Sequence, residues 1–207
     1  CKAELEQAVS QPMTGTWQFS IHTIPLIVSI FSTFFLIGIA WRHREYQHAR
    51  SLIILLSGVT YWSLTYVVGL STTVPVLKRF AYSLTYPAVG LVSIAWFVFA
   101  VQYTGRLRVP TKREFAALGV VPVLTAVAGF TNQYHGLLWS SVDIVSRNQL
   151  ELMQTSPGIL FWVHTLQSYA LIGTGTGFII IIIFLSDTAY RSEAVALVLA
   201  AAFPLIV

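Results

Sequence analysis

The sequence predicts an all-α polytopic membrane protein. Five complete spans and part of a sixth, of an expected seven, form a helical bundle with the N-terminus outside and a short β-hairpin between spans four and five. Three observations predict this. Only 10% of the 207 residues are charged and 56% are apolar, whereas a soluble domain carries about 25% charged residues to cover its surface. The apolar residues fall in blocks of roughly 20, the length that crosses about 30 Å of hydrocarbon as a helix. Lys and Arg gather beside the ends of those blocks, where insertion and anionic headgroups account for them. The net charge of +4 and pI near 9.4 therefore do not point to nucleic acid, and none is expected as a partner. The lipid bilayer is.

Residues 1–20 are predicted to be an extracellular segment, polar at first and containing Pro12 and Gly15. No basic stretch and short apolar run precede a cleavage site, so it does not read as a signal peptide. Cys1 admits a lipidated end, but no lipidation signal precedes it. A truncated end is the simpler expectation, with Met13 a candidate natural start. One cysteine in the chain makes no internal disulfide. Residues 21–207 are predicted to form the transmembrane domain. The first span covers about 22–41 and is stopped by Arg42-His43-Arg44-Glu45; the second covers about 51–70. Ser71 to Pro75 form a link, and Lys78-Arg79 precede a third span of about 80–103. Pro87 lies inside that span, where a kink is expected and a hydroxyl such as Ser83 is a candidate partner for the freed carbonyl. After the basic loop from Gly105 to Glu114, a fourth span of about 115–131 contains Pro122. The fifth runs about 159–185, and the sixth starts at Ala194 and reaches Val207, about 14 residues, short of a full crossing. The chain is expected to be cut inside that helix.

Orientation follows from the basic residues. Arg42, Arg44, Arg50, Arg106, Arg108, Lys112, Arg113 and Arg191 make eight on one side; Lys2, Lys78, Arg79 and Arg147 make four on the other. The richer side is expected to be cytoplasmic, in a multi-pass protein of the plasma membrane.

The motifs argue against chemistry within this chain. No HExxH pair or close cluster of His and carboxylates occurs. His43 and His48 flank Glu45, but a headgroup-facing turn favours solvation over a metal site. Gly173-Thr174-Gly175-Thr176-Gly177 lies in an apolar helix without the Lys-Ser/Thr of a phosphate loop. Gly173 and Gly177 instead form a small-xxx-small step for helix packing. No Asp, Glu, Lys or Arg sits in the middle of a complete span, so proton pumping, ion-coupled transport and voltage sensing lose ground. A retinal-binding Lys would have to come from beyond residue 207. No catalytic residue, cofactor or metal is expected.

The outer loop is the most distinctive segment. Asn132-Gln133-Tyr134-His135-Gly136-Leu137-Leu138-Trp139 is followed by alternating runs at 142–145 and 150–153, a hairpin pattern. Pro157-Gly158 then opens the fifth span, with Trp162 and His164 in its first turns. Aromatic and His residues at this level are ordinarily interfacial anchors. The competing expectation is a ligand pocket formed by Asn132, His135, Trp139, Trp162 and His164.

Several of these residues fall in a familiar order. Tyr103-Thr104-Gly105-Arg106 follows an aromatic third span, and then come Pro122, Asn132-xx-His135-Gly136-Leu137-x-Trp139, Gly158-xx-Phe161-Trp162-Val163-His164, Tyr190-Arg191 and Pro204. Together they resemble the N-terminal seven-helix sensor region of membrane histidine kinases, a family abundant in archaea and found in bacteria. The likeness covers about residues 17–207. Two features depart from it. Pro87 sits early, with Ser93-Ile94 in the later region, and Val67-Val68-Gly69-Leu70 replace an expected acidic residue. Ligand chemistry is therefore not carried over. The resemblance implies a sensory input module of a two-component signalling protein that relays an extracellular or membrane-borne cue to cytoplasmic kinase domains, with a homodimer as the working form. The alternatives are a small-solute transporter or channel-like protein, or a subunit of a membrane complex.

Overall fold

A computed structural model describes residues 15–105, 108–147 and 150–185. Five helices form along the hydropathy blocks: α1 Thr23–Arg42, α2 Gln47–Ser71, α3 Pro75–Thr104, α4 Lys112–His135 and α5 Ile159–Leu185. All five are long and apolar enough to cross a membrane. Between α4 and α5 lie two antiparallel strands, β1 Trp139–Arg147 and β2 Leu150–Pro157. The expected N-terminal residues 1–14 and the sixth span at 194–207 lie outside the described residues.

Local chemistry sets the helix ends. Pro75 occupies the first turn of α3, where its missing N–H costs nothing and its fixed φ suits the helix. The helix therefore begins five residues before the expected 80, and Lys78-Arg79 belong to it rather than to a loop. It stays one helix of 30 residues through Pro87. The Ser83 hydroxyl donates to the Arg79 carbonyl at 2.9 Å, so it caps its own preceding turn and not the carbonyl that Pro87 frees. Helix α4 also outruns the expected 115–131. A capping box starts it, with Thr111 and Glu114 each accepting from the other's backbone N–H, an exchange that satisfies two donors at the helix start. It ends at Gly136, whose φ of 61° is a left-handed cap open to glycine at no steric cost.

The strands are likewise longer than the alternating runs suggest. Ile144 pairs with Met153 and Val142 with Thr155, and the ladder continues to Trp139 opposite Pro157. Pro157 thus closes the hairpin and does not open the fifth helix. It tolerates a ladder position because it ends the strand.

Helix α3 is the centre of the bundle. It packs against α2, α4 and α5, while α1 packs on α2. Half of the apolar window of α3 is buried, against 17% for α1. Between helices, small residues and hydroxyls supply the contacts that lipid cannot replace. Thr33 and Thr60 hydrogen bond across α1 and α2 at 2.7 Å, and Ser51 bonds Gln102 across α2 and α3. Trp96 Nε1 donates to the Thr176 hydroxyl at 3.2 Å. A Cβ on Gly175 would lie 3.1 Å from the Trp96 ring, while Gly173 and Gly177 have nothing within 4 Å of theirs. Among the described residues, then, a close step on α5 lies at Gly175.

One end of the bundle gathers the hairpin, the α2–α3 link and residues 15–22. Gln18 N–H donates to Ser71 O at 2.7 Å and Thr73 N–H to Thr16 O at 3.1 Å. We call this the hairpin end.

Candidate functional site at the hairpin end

Asn132 organises the chain between α4 and β1. Its Oδ1 accepts from the backbone N–H of Leu138 and of Trp139, both at 3.0 Å, and its Nδ2 donates to Trp139 O at 2.8 Å. One amide thus satisfies three backbone groups that turn away from the helix. The turn is locked on its other side by α5. Gly158 N–H donates to Leu138 O at 2.8 Å and Leu160 N–H to Leu137 O at 2.9 Å. A Cβ at Gly158 would collide with the Leu137 carbonyl, so only glycine fits.

The clamp delivers Trp139 into the bundle. Its side chain is buried, and its Nε1 donates to the Tyr86 hydroxyl at 2.7 Å. Tyr86, on α3, meets the His164 ring of α5 edge-on, with centroids 5.6 Å apart and planes at 80°. His164 Nδ1 in turn lies 2.9 Å from the Thr125 hydroxyl of α4. The Thr125 hydroxyl donates its single proton to Val121 O at 2.6 Å. It therefore accepts from His164, which places the imidazole proton on Nδ1. Among the described residues, Nε2 is left as an acceptor, buried and without a hydrogen-bond partner. The chain Trp139–Tyr86–His164–Thr125 thus joins the hairpin to α3, α5 and α4 in turn.

Space for His164 comes from its neighbours. A Cβ on Gly90 would lie 2.5 Å from the Pro122 side chain and 3.5 Å from the His164 ring, so α3 and α4 touch here without a side chain between them. Pro122 has no N–H for the Leu118 carbonyl one turn earlier. Gln167 of α5 fills the gap, its Nε2 donating to Leu118 O at 2.7 Å.

A second group of polar contacts lies beside the hairpin. Lys78 is fully buried, and its ammonium donates to Gly69 O at 2.8 Å and Glu151 O at 2.9 Å. Gln18 Nε2 donates to the same Glu151 O at 3.0 Å, and Glu151 N–H donates to Gln18 Oε1 at 2.8 Å. Outside this, a cleft of about 710 Å³ opens between the start of α3, the end of α4 and β1.

Of the residues expected to form a pocket, Asn132, His135 and Trp139 line that cleft. His135 is exposed, and its ring is engaged with the Thr131 hydroxyl at 3.0 Å and the Leu137 N–H at 3.0 Å. His164 lies behind the cleft, joined to Trp139 through Tyr86. Trp162 stands apart, 60% exposed and stacked edge-on against Phe161. Sequence reasoning passed over Tyr86, Thr125 and Lys78. A Thr three residues after a helix proline, in a chain with a His in another apolar span, was the available signal for Thr125. No group of three or more His, Cys, Asp or Glu residues suited to a metal occurs among the described residues.

A family model, the N-terminal 7TM region of histidine kinase, matches residues 25–207. No curated protein and no solved structure matches the chain.

Proposed function

The chain belongs to the N-terminal 7TM regions of histidine kinases, and from that premise we infer that it is the sensory input of a two-component signalling kinase. The region is membrane-embedded and is not itself catalytic. In this reading it lies in the plasma membrane with the hairpin end outside, receives an extracellular or membrane-borne cue there, and biases cytoplasmic kinase domains through its later helices. The family match over 25–207 carries the proposal. The basic residues support the orientation, more sharply once Lys78 is seen to be spent on buried carbonyls: eight on the inner side face three on the outer.

The chain from Trp139 to Thr125 is the proposed first relay. A cue acts only by binding two arrangements with different affinity. The unpartnered Nε2 of His164 supplies such a difference, because an unmet buried acceptor costs about 1–3 kcal/mol. A second arrangement that brings a donor to it recovers that energy.

The test uses the full-length protein in membrane vesicles, with ATP-dependent autophosphorylation as readout. His164→Phe keeps a ring of similar size and removes the orphan acceptor, so stability is expected to hold within about 1 kcal/mol while the phosphorylation level shifts. A full-length protein without a phosphoaccepting kinase domain sinks the sensory reading. Autophosphorylation identical in wild type and His164→Phe sinks the relay.

A further inference from the structure

The cleft at the hairpin end has a chemical character of its own. Its lining contains one charged side chain, Arg79, and no carboxylate. Arg79 is exposed, and no hydrogen bond or ion pair to its guanidinium is found among the described residues. Gln133 and Tyr134 of the lining are exposed, and several of its other polar groups are committed. Ser83 donates to Arg79 O at 2.9 Å, Ser140 to Ser156 O at 3.3 Å, and His135 to the Thr131 hydroxyl at 3.0 Å. The guanidinium, with five N–H donors suited to a planar anion, is thus left uncommitted in a concavity built by three elements.

Below it the wall is apolar. Phe80 and Phe130 sit with centroids 5.4 Å apart and remain half exposed. Gly129 forms the floor, since a Cβ there would lie 3.1 Å from Ser83. Arg79 is the fifth residue of α3, so it stands about 6 Å along the axis from the helix start. A helix start in a bilayer-spanning bundle lies at headgroup depth, and the two half-exposed rings follow it toward the span. A volume of about 710 Å³ lies within the range of small-molecule sites, roughly 300–1,000 Å³.

We propose that this cleft binds an amphipathic anion, its carboxylate or phosphate held by Arg79 and its hydrocarbon chain lying on Phe80 and Phe130. Because the inference rests on the sensory reading for what occupancy achieves, binding is measured separately from output. The full-length protein is placed in nanodiscs of zwitterionic phosphatidylcholine and titrated with a fluorescent long-chain fatty acid, dansyl-undecanoic acid. Saturable binding is expected, weakened about tenfold by Arg79→Gln, as loss of one charge-assisted contact predicts, and largely kept by Arg79→Lys. The corresponding fatty alcohol is expected to bind wild type and Arg79→Gln alike. Repeating the titration in discs containing phosphatidylglycerol separates two sources of the same chemistry. Competition there identifies a resident anionic phospholipid, and its absence identifies a free amphiphilic acid. Absence of saturable binding, or equal affinity in wild type and Arg79→Gln, overturns the proposal. Autophosphorylation in the same discs judges the sensory reading independently, whether or not the probe binds.

Discussion

At the scale of single residues, the hairpin end is held by side chains that serve backbone groups. Asn132 meets three of them, and leaving buried amides unpaired costs about 1–3 kcal/mol. Asn132→Ala is therefore expected to lower stability by about that amount, read as thermal unfolding in detergent. Asn132→Asp retains the acceptor for Leu138 and Trp139 but sets a carboxylate oxygen against Trp139 O in place of the donor, so it is expected to destabilise as well. Unchanged unfolding in Asn132→Ala would show that the clamp contributes nothing. Asn132, His135 and Trp139 were legible in the sequence as neighbours on the chain. Their distinct uses were not, because an Asn that caps a turn and an Asn that faces a ligand have the same local pattern. Trp162 illustrates the opposite limit: two residues from His164 on an apolar helix, it points away by helix periodicity, which the run Phe161-Trp162-Val163-His164 conceals.

At the scale of elements, glycine and proline positions decide how α3, α4 and α5 meet. Gly90→Ala drives a methyl into Pro122, and overpacking of this kind costs about 1–3 kcal/mol. Gly119, with nothing within 4 Å of a built Cβ, gains helix propensity on change to Ala, up to about 1 kcal/mol. Melting temperatures are thus expected to fall for the first and stay or rise for the second. Gln167 offers a sharper test, since it fills a deficit that Pro122 creates. Gln167→Leu is expected to destabilise wild type and to do so less in a Pro122→Ala background, where a backbone N–H returns to Leu118 O. Purely additive unfolding energies in that double-mutant cycle would remove the link between proline and glutamine. The helices themselves were readable because hydropathy blocks of membrane length leave few alternatives. Their ends were less so. Lys78-Arg79 read as preceding the third span because charge ordinarily bounds a span, and only the tertiary fold supplies Gly69 and Glu151 carbonyls to a buried ammonium. Gly175 was not legible as a contact in the same way, since a contact face is chosen by the neighbour, here Trp96.

At the scale of the whole molecule, the proposed orientation makes a direct prediction. In a Cys1→Ser background, Asp143→Cys on the hairpin is expected to react with an impermeant maleimide on intact cells, and Lys112→Cys only after lysis. The reverse pattern would turn the molecule over and place the Arg79 cleft in the cytoplasm. The hairpin must also sit correctly on the bundle, and Lys78 bears on this. Successive carbonyls of a strand point to opposite edges, so the outward Glu151 oxygen that receives both Gln18 and Lys78 is lost by a slip of one residue. Slipping β2 by one residue would turn a carbonyl inward at that place and face every side chain the wrong way. A buried ammonium deprived of its acceptors is far costlier than a misplaced apolar residue. The lysine therefore favours this strand alignment over a one-residue slip.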